Sequence, residues 1–66
     1  MTVGERLREV RRARGMTLAA LGAAIGTDGQ HICKFEGNIF QPRLDTLVKL
    51  TTILRISLDW LVLGKK

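Results

Sequence analysis

Short runs of helical periodicity, most of them bounded by glycine or proline, constrain the fold of this chain more than any other feature. Apolar residues recur at helical spacing in four stretches, and no stretch shows the sustained alternation typical of a β-strand. Gly15 and Gly26 follow the first two stretches, where glycine lets the backbone turn. Pro42 lies in the loop before the fourth stretch and disfavours a helix there. The pattern therefore predicts an all-α domain.

We place helices at residues 3–14, 18–25, 29–37 and 44–54, with a short fifth helix after Ser57. Thr17, Asp28 and Ser57 have the side chains that cap helix N-termini. Helical spacing then gives the residues predicted to lie on the inner side: Val3, Leu7, Val10 and Arg14 in the first helix, Ile32, Phe35 and Glu36 in the third, Leu44, Leu47, Leu50, Thr51 and Leu54 in the fourth, and Leu58, Trp60 and Leu61 in the fifth.

Length and charge limit the number of domains and the kind of partner. A chain of 66 residues has room for one core, so residues 1–66 are predicted to form a single domain. Eleven Lys and Arg against six Asp and Glu give a net charge of +5, which favours a polyanionic partner such as nucleic acid. The single cysteine, Cys33, excludes an internal disulfide and fits a reducing, cytoplasmic location.

Several other classes of protein fit the sequence poorly. RRARG followed by MTLAALGAAIG superficially resembles a secretory signal, but Glu5 and Glu9 interrupt its basic part, and no stretch is long and apolar enough to span a membrane. His31 and Cys33 point to different faces of a helix, so no metal site or other cofactor is expected. Because no nucleophile is paired with a base and no carboxylates are paired in a pocket, an enzyme is not expected.

The segment IGTDGQHICKFEGN, residues 25–38, joins two short helices through a tight turn. That arrangement predicts a helix-turn-helix of helices 2 and 3, in which the outer side of the second helix can enter the major groove of DNA. Gly22 would let the two helices approach closely. The outer side carries five small or polar residues: Gly29, Gln30, His31, Cys33 and Lys34.

The order and spacing of four segments resemble the phage-repressor and Cro type of helix-turn-helix domain, also called the XRE family. These segments are VGERLREVRRARGMT (3–17), LAALGAAIGTDGQHICKFEGN (18–38), QPRLDTLVKLTTIL (41–54) and ISLDWLVLG (56–64), which together cover nearly the whole chain. The resemblance implies a compact five-helix, lambda-repressor-like fold. It also implies a transcriptional repressor encoded by a bacterium, an archaeon or a phage, with double-stranded DNA as its partner and no small-molecule effector.

The resemblance also implies roles for individual residues. Base contacts fall to Gly29, Gln30 and Lys34, with His31 nearby; phosphate contacts fall to Thr17, Leu18, Asn38 and Arg43; an ion pair joins Arg11 to Glu36. The amide of Gln30 can pair bidentately with adenine, whereas the ammonium of Lys34 can reach guanine or a phosphate. His31 is alternatively a merely exposed residue. We expect Cys33 to be a small filler near the helix junction rather than a sensor thiol. The arginine run of helix 1 is expected to form a solvated face, with a second DNA-binding surface as the alternative.

Departures from the family pattern leave a second function open. Leu18 replaces a glutamine that clamps phosphate in many relatives, and Gly29 replaces a large polar reader of bases. Ile39 and Phe40 occupy a loop in which relatives often have basic residues. The alternative is a protein-interaction module, such as an antitoxin or adaptor, that uses Leu18, Ile39 and Phe40 as a binding patch.

The apolar residues outnumber the places in so small a core. Val62 and Leu63 lie in a C-terminal region that relatives often use to form two-fold dimers, so we predict a homodimer with these residues at its interface. A dimer would bind a palindromic operator with half-sites about 10 bp apart, or a multiple of that distance.

Overall fold

The computed structural model describes residues 1–65, which form five α-helices and no strand. The helices are α1 Val3–Ala13, α2 Leu18–Ala24, α3 Gly29–Glu36, α4 Leu44–Leu54 and α5 Leu58–Leu63. The predicted all-α class and all five helices are confirmed. The predicted ends of the first three helices lie one residue too far along the chain, because Arg14, Ile25 and Gly37 are C-caps with non-helical backbone angles.

Local hydrogen bonds explain where the helices start. The hydroxyls of Thr17 and Ser57 each accept the backbone N–H of the third residue beyond them, as predicted for N-caps. Thr2 and Glu5 form a reciprocal capping box at the start of α1, in which each side chain accepts the other's backbone N–H. The pKa of Glu5 is lowered because its carboxylate accepts the Thr2 amide and hydroxyl hydrogen bonds.

The core collects one or two residues from every helix. Its buried apolar residues are Leu7, Val10, Leu21, Ile25, Ile32, Leu50, Leu54 and Leu61. The predicted stripe of α4 is correct from Leu47 onward but wrong at Leu44, which is 66% exposed. Leu44 is the first residue of α4, and the loop before it leaves the side chain in solvent. Trp60 packs partly against the core, as predicted.

Two arginines of the first helical segment, Arg6 and Arg14, hold helices together. The predicted solvated face is wrong for Arg6, which is buried, whereas Arg8, Arg12 and Arg14 are exposed, so the predicted inner position of Arg14 is also wrong. Arg6 is buried, and its Nε and Nη2 donate to the carbonyls of Leu61 and Val62 at 2.8 and 3.1 Å. Arg14 Nε donates to the Leu54 carbonyl at 3.0 Å. These carbonyls lie in the last turns of α5 and α4, where helices leave acceptors without a helical donor. The arginines therefore fix α1 against the C-terminal ends of both helices.

Within residues 1–65, no helix is both long and apolar enough to cross a lipid bilayer.

Candidate nucleic-acid interface

The turn between α2 and α3 depends on backbone contact at two glycines. A Cβ at Gly22 would lie 2.3 Å from the carbonyl carbon of Asp28, a distance that real side chains do not reach. A Cβ at Gly29 would lie 3.0 Å from the backbone nitrogen of Ala19. Gly26 has a positive φ of 82°, which is favourable for glycine. The close approach expected at Gly22 is therefore present, and Gly29 brings the start of α3 against the start of α2.

The inner face of α3 is anchored by a buried ion pair. Glu36 is 3% exposed, and its carboxylate accepts hydrogen bonds from Arg11 Nε at 2.6 Å and Arg11 Nη2 at 3.1 Å. The hydrogen bonds with Glu36 also raise the pKa of Arg11, so its charge is retained. Arg11 Nη1 donates to the Met16 carbonyl at 2.8 Å, and Arg8 approaches Glu36 within 3.3 Å. This network fixes the rotation of α3 relative to α1.

A second anchor at the C-terminal end of α3 was not predicted from the sequence. Asn38 accepts the backbone N–H of Gly4 through Oδ1 at 3.1 Å and donates through Nδ2 to the Thr2 hydroxyl at 2.9 Å. A Cβ at Gly4 would lie 2.3 Å from the carbonyl oxygen of Glu36, so glycine is needed for this approach. A glycine in the first turn of an otherwise strong helix is the signal that could have indicated it. Asn38 keeps one Nδ2 hydrogen for a phosphate, and that contact stays a prediction.

The outer face of α3 is polar and open to solvent. Gln30, His31, Cys33 and Lys34 are all exposed. The prediction that Cys33 is a filler at the helix junction is wrong, because Cys33 lies on this exposed face. At the helix junction the close contacts are made by the backbones of Gly22 and Gly29.

Asp28 and His31 interact at the first turn of α3. The Asp28 carboxylate accepts the backbone N–H of His31 at 3.0 Å and lies 3.0 Å from Nδ1 of the same residue. The backbone hydrogen bond, followed by the ring contact, lowers the pKa of Asp28. Asp28 therefore acts as the N-cap that the sequence predicted, and it holds the His31 ring on the outer face.

The loop after α3 extends this face. His31, Ile39, Phe40 and Arg43 line one open groove beside α3, so the structure brings the predicted base and phosphate residues His31 and Arg43 together. Lys34 Nζ lies 4.9 Å from the centroid of the Phe40 ring, a contact that sequence reasoning missed.

Two predicted phosphate contacts lie at the N-terminus of α2. The Thr17 hydroxyl accepts the Ala20 amide at 3.0 Å and keeps its own hydrogen for another acceptor. Leu18 packs partly against the core, which leaves its backbone amide as the group that could contribute to the predicted contact. Among the proposed dimer residues, Val62 is half-buried and Leu63 is 62% exposed.

No group of three His, Cys, Asp or Glu residues suitable for a metal ion occurs in the part of the chain that the structure describes. The outer face of α3 exposes amide, imidazole and ammonium groups, while the opposite side of the helix is held by Ile32 and Glu36.

Comparison with known proteins identifies the fold. A family model described as helix-turn-helix matches residues 7–61. The chain belongs to the helix-turn-helix family. The predicted resemblance to phage-repressor domains is thereby confirmed. In this helix-turn-helix domain, α2 and α3 are the two helices that name the motif.

Two relatives and one solved structure illustrate the match. The domain is 32% identical to the HTH-type transcriptional regulator ImmR of Bacillus subtilis (strain 168) over 98% of this chain and 50% of ImmR. It is 36% identical to the SPbeta prophage-derived HTH-type transcriptional regulator YonR of the same strain, over 92% of this chain and 56% of YonR. The P22 c2 repressor, solved in complex with the synthetic operator 9T, superimposes with a TM-score of 0.94 at 31% identity over 98% of both chains.

The helix-turn-helix domain spans about half the length of the curated relatives it matches. The proteins named in these matches are transcriptional regulators and a repressor, not enzymes.

Proposed function

We propose that this helix-turn-helix domain binds double-stranded DNA in a sequence-specific manner and acts in transcriptional regulation as a repressor. The observation that carries the proposal is the asymmetry of α3, whose inner face is fixed by Glu36 and Ile32 while its outer face exposes Gln30, His31 and Lys34. A rigid helix with polar groups on its free side can enter a major groove without losing its own packing. The likeness to the P22 c2 repressor, which is solved with operator DNA, supports the same role.

In this proposal the residues divide into those that read bases and those that set position. Gln30 pairs with adenine, Lys34 contacts guanine, and His31 lies beside them. Gly29 can contribute only through its backbone, because the position of a Cβ there faces the backbone of Ala19 in α2. The remaining contacts go to phosphates and fix the register, through Thr17, the Leu18 amide, Asn38 and Arg43.

We further propose that two copies bind a palindromic operator with half-sites about 10 bp apart. The exposed Leu63 and the half-buried Val62 are the residues proposed for the interface, because an exposed apolar surface is a common basis for self-association. Sedimentation of the parent and of a Leu63→Glu variant tests this part. The parent should form a concentration-dependent dimer that the variant lacks, and a monomeric parent bound to DNA would contradict it.

Selection of tight binders from a randomised duplex library tests the DNA-binding function. The parent should enrich a two-fold-symmetric site, and a variant with Gln30→Ala and Lys34→Ala should not. Lys49→Ala, which removes an exposed cation on α4, is the matched control and should retain the selected sequence. Gln30→Ala alone should cost about 1–3 kcal/mol on the selected site and leave random DNA nearly unaffected. Equal losses on both DNAs would remove Gln30 from base reading.

Salt dependence gives a second criterion. A dimer making about 4 to 6 phosphate contacts should show a slope of roughly −4 to −5 when the logarithm of affinity is plotted against the logarithm of salt concentration. A slope near zero would contradict the proposal.

The alternative function, a protein-interaction module, is favoured by one observation: Ile39 is 71% exposed and Phe40 is 43% exposed on adjacent positions of one loop. Leu18, the third predicted member of that patch, packs partly against the core, which reduces the patch to the loop. A heterologous partner that survives nuclease treatment, together with a parent that enriches no DNA sequence at low salt, would favour this function instead.

A further inference from the structure

We propose that Phe40 is a positioning residue that holds the Lys34 ammonium in place for DNA recognition. This inference rests on the proposed function, since it assigns a role within the same DNA-reading surface. Phe40 lies outside the helix-turn-helix motif, in the loop that follows α3. Two independent features of the structure connect it to Lys34.

The first feature is a backbone connection that keeps Phe40 close to Lys34. The Lys34 carbonyl accepts the backbone N–H of Ile39 at 2.9 Å and, more weakly, that of Phe40 at 3.4 Å. The chain can return to this carbonyl because Asn38 adopts the left-handed conformation, with φ of 60°. The Asn38 side chain is in turn hydrogen-bonded to Gly4 and Thr2 of the α1 region. The loop therefore has a fixed geometry relative to α3.

The second feature is the contact between the side chains themselves. Lys34 Nζ lies 4.9 Å from the centroid of the Phe40 ring, within the distance at which an ammonium is attracted to the face of an aromatic ring. The His31 ring also neighbours Phe40, with ring centroids 6.4 Å apart and an angle of 44° between the planes. Phe40 thus stands between two residues of the proposed base-reading set.

The contact with Phe40 restricts the side chain of Lys34, which is the most flexible of the proposed base-contacting residues. A lysine has four rotatable side-chain bonds, and fixing them on binding costs conformational entropy. A neutral ring restricts the ammonium without cancelling its charge, whereas a carboxylate would compete with guanine or phosphate. The contact would therefore lower the entropic cost of binding through Lys34 before DNA arrives.

Nuclear magnetic resonance of the free protein tests the geometry. The ring current of Phe40 should shift the ε-methylene protons of Lys34 upfield from their values in an unstructured chain. Phe40→Leu, which keeps an apolar side chain but removes the ring, should abolish the shift, and Phe40→Trp should keep it. An unshifted Lys34 in the parent, or a shift unchanged by Phe40→Leu, would overturn the proposal.

A double-mutant cycle on the selected duplex tests the role in binding. Phe40→Leu should weaken binding by about two- to fivefold, the effect of an exposed cation–aromatic contact, and Phe40→Trp should restore it. In a Lys34→Met background the same Phe40→Leu change should have no further effect. Leu44→Ala, at an exposed apolar position directly after the loop and outside the groove, is the matched control and should bind as the parent does.

The remaining outcomes separate this inference from the proposed function. An equal loss with and without Lys34 would show that Phe40 touches DNA directly, and it would overturn the positioning role while leaving DNA binding intact. A parent that binds no duplex would contradict both the proposed function and the role of Phe40 in it. In that case the Lys34 proton shifts would still show whether the pair exists in the free protein.

Discussion

The two faces of α3 differ in almost every physical property although they belong to one helix of eight residues. The inner face carries Ile32, fully buried, and Glu36, whose charge is neutralised by Arg11. The outer face carries Gln30 and Lys34, both exposed. Substitutions on the inner face should therefore act on folding, and those on the outer face on recognition.

The buried charges of the inner face have complete sets of partners. Among residues 1–65, every fully buried side-chain nitrogen or oxygen has a hydrogen-bond partner. Removing one member of such a pair leaves the other charge buried without compensation, which costs more than the pair itself contributes.

The largest effect is expected from Glu36→Ala, which leaves Arg11 buried without its carboxylate. The free energy of unfolding should fall by about 3–5 kcal/mol, enough to unfold much of a domain this small. Urea denaturation followed by circular dichroism measures the change. Glu9→Ala is the control. It removes an exposed acid from α1 and should have little effect on the free energy of unfolding. Equal urea midpoints for the two variants would show that the pair does not hold α3.

Replacing both charged residues separates the cost of an unpaired charge from the contribution of the Arg11–Glu36 ion pair. Arg11→Met combined with Glu36→Leu removes the buried pair as a unit and should recover most of the stability lost in Glu36→Ala. No recovery would mean that loss of the Arg11 hydrogen bond to the Met16 carbonyl, which only the double variant removes, offsets the gain from removing the unpaired charge.

A smaller effect is expected from Gly22→Ala, which acts on the packing behind α3. The new Cβ would meet the backbone of Asp28 at 2.3 Å, and backbone atoms cannot move aside as a flexible side chain can. We expect a loss of about 1–3 kcal/mol in thermal or urea unfolding. Gly37→Ala is the matched control, because its φ is −83° and its nearest new contact is 3.4 Å away. A loss in the control equal to that in Gly22→Ala would contradict the packing argument.

Local features of the fold could be predicted from the sequence. The caps Thr17, Asp28 and Ser57 were predictable, because each is satisfied by an amide three residues away. Helical spacing likewise gave the inner side of α3 at Ile32 and Glu36. Signals of this kind are local, so a single sequence carries them in full.

Contacts between distant segments were not predictable in the same way. The need for glycine at position 4 arises from Glu36 and Asn38, which lie more than thirty residues away. Arg6 is buried because α5 ends beside it, whereas its sequence neighbours suggest a solvated face. Leu44 follows the apolar spacing of α4 yet is exposed. Helical spacing predicts the side of a helix on which a residue lies, but it does not predict whether a neighbouring helix extends far enough to cover that residue.

The start of α3 offers a still smaller test, and it depends on pH. The pKa of Asp28 is lowered by hydrogen bonds that form in the folded state. Its ionised form therefore stabilises the fold above about pH 4, and this contribution is lost as the pH falls through the lowered folded-state pKa. Asp28→Asn can still cap α3 but cannot ionise. The difference in unfolding free energy between the parent and this variant should shrink in acid.

Glu5 also has a lowered pKa, so it too makes stability depend on pH. Because Glu5 is present in both the parent and Asp28→Asn, its contribution cancels in the difference between them. The parent and Asp28→Asn can also be compared in a His31→Ala background. This background keeps the backbone N–H that Asp28 accepts but removes the imidazole, so it separates the two contacts that lower the pKa of Asp28. A difference that stays constant from neutral pH to pH 2 would show that the Asp28 charge does not contribute to the cap.

The smallest effect on stability is expected from substitution of Cys33. Comparing it with substitution of Ile32 gives the sharpest contrast between the outer and inner faces of α3. Cys33 lies next to the fully buried Ile32 in sequence but on the exposed side of α3. Cys33→Ser should change the free energy of unfolding by no more than about 0.5 kcal/mol, since the hydroxyl stays in water. Ile32→Ala, one position earlier, should cost about 2–5 kcal/mol.

The thiol also reports on recognition without any substitution. An alkylating reagent should modify Cys33 in the folded protein, and bound operator should slow that modification because the outer face of α3 would then lie against DNA. Random duplex at the same concentration is the control and should protect less. Rapid labelling in the presence of saturating operator would mean that α3 does not enter the groove, even if the domain binds DNA by another surface.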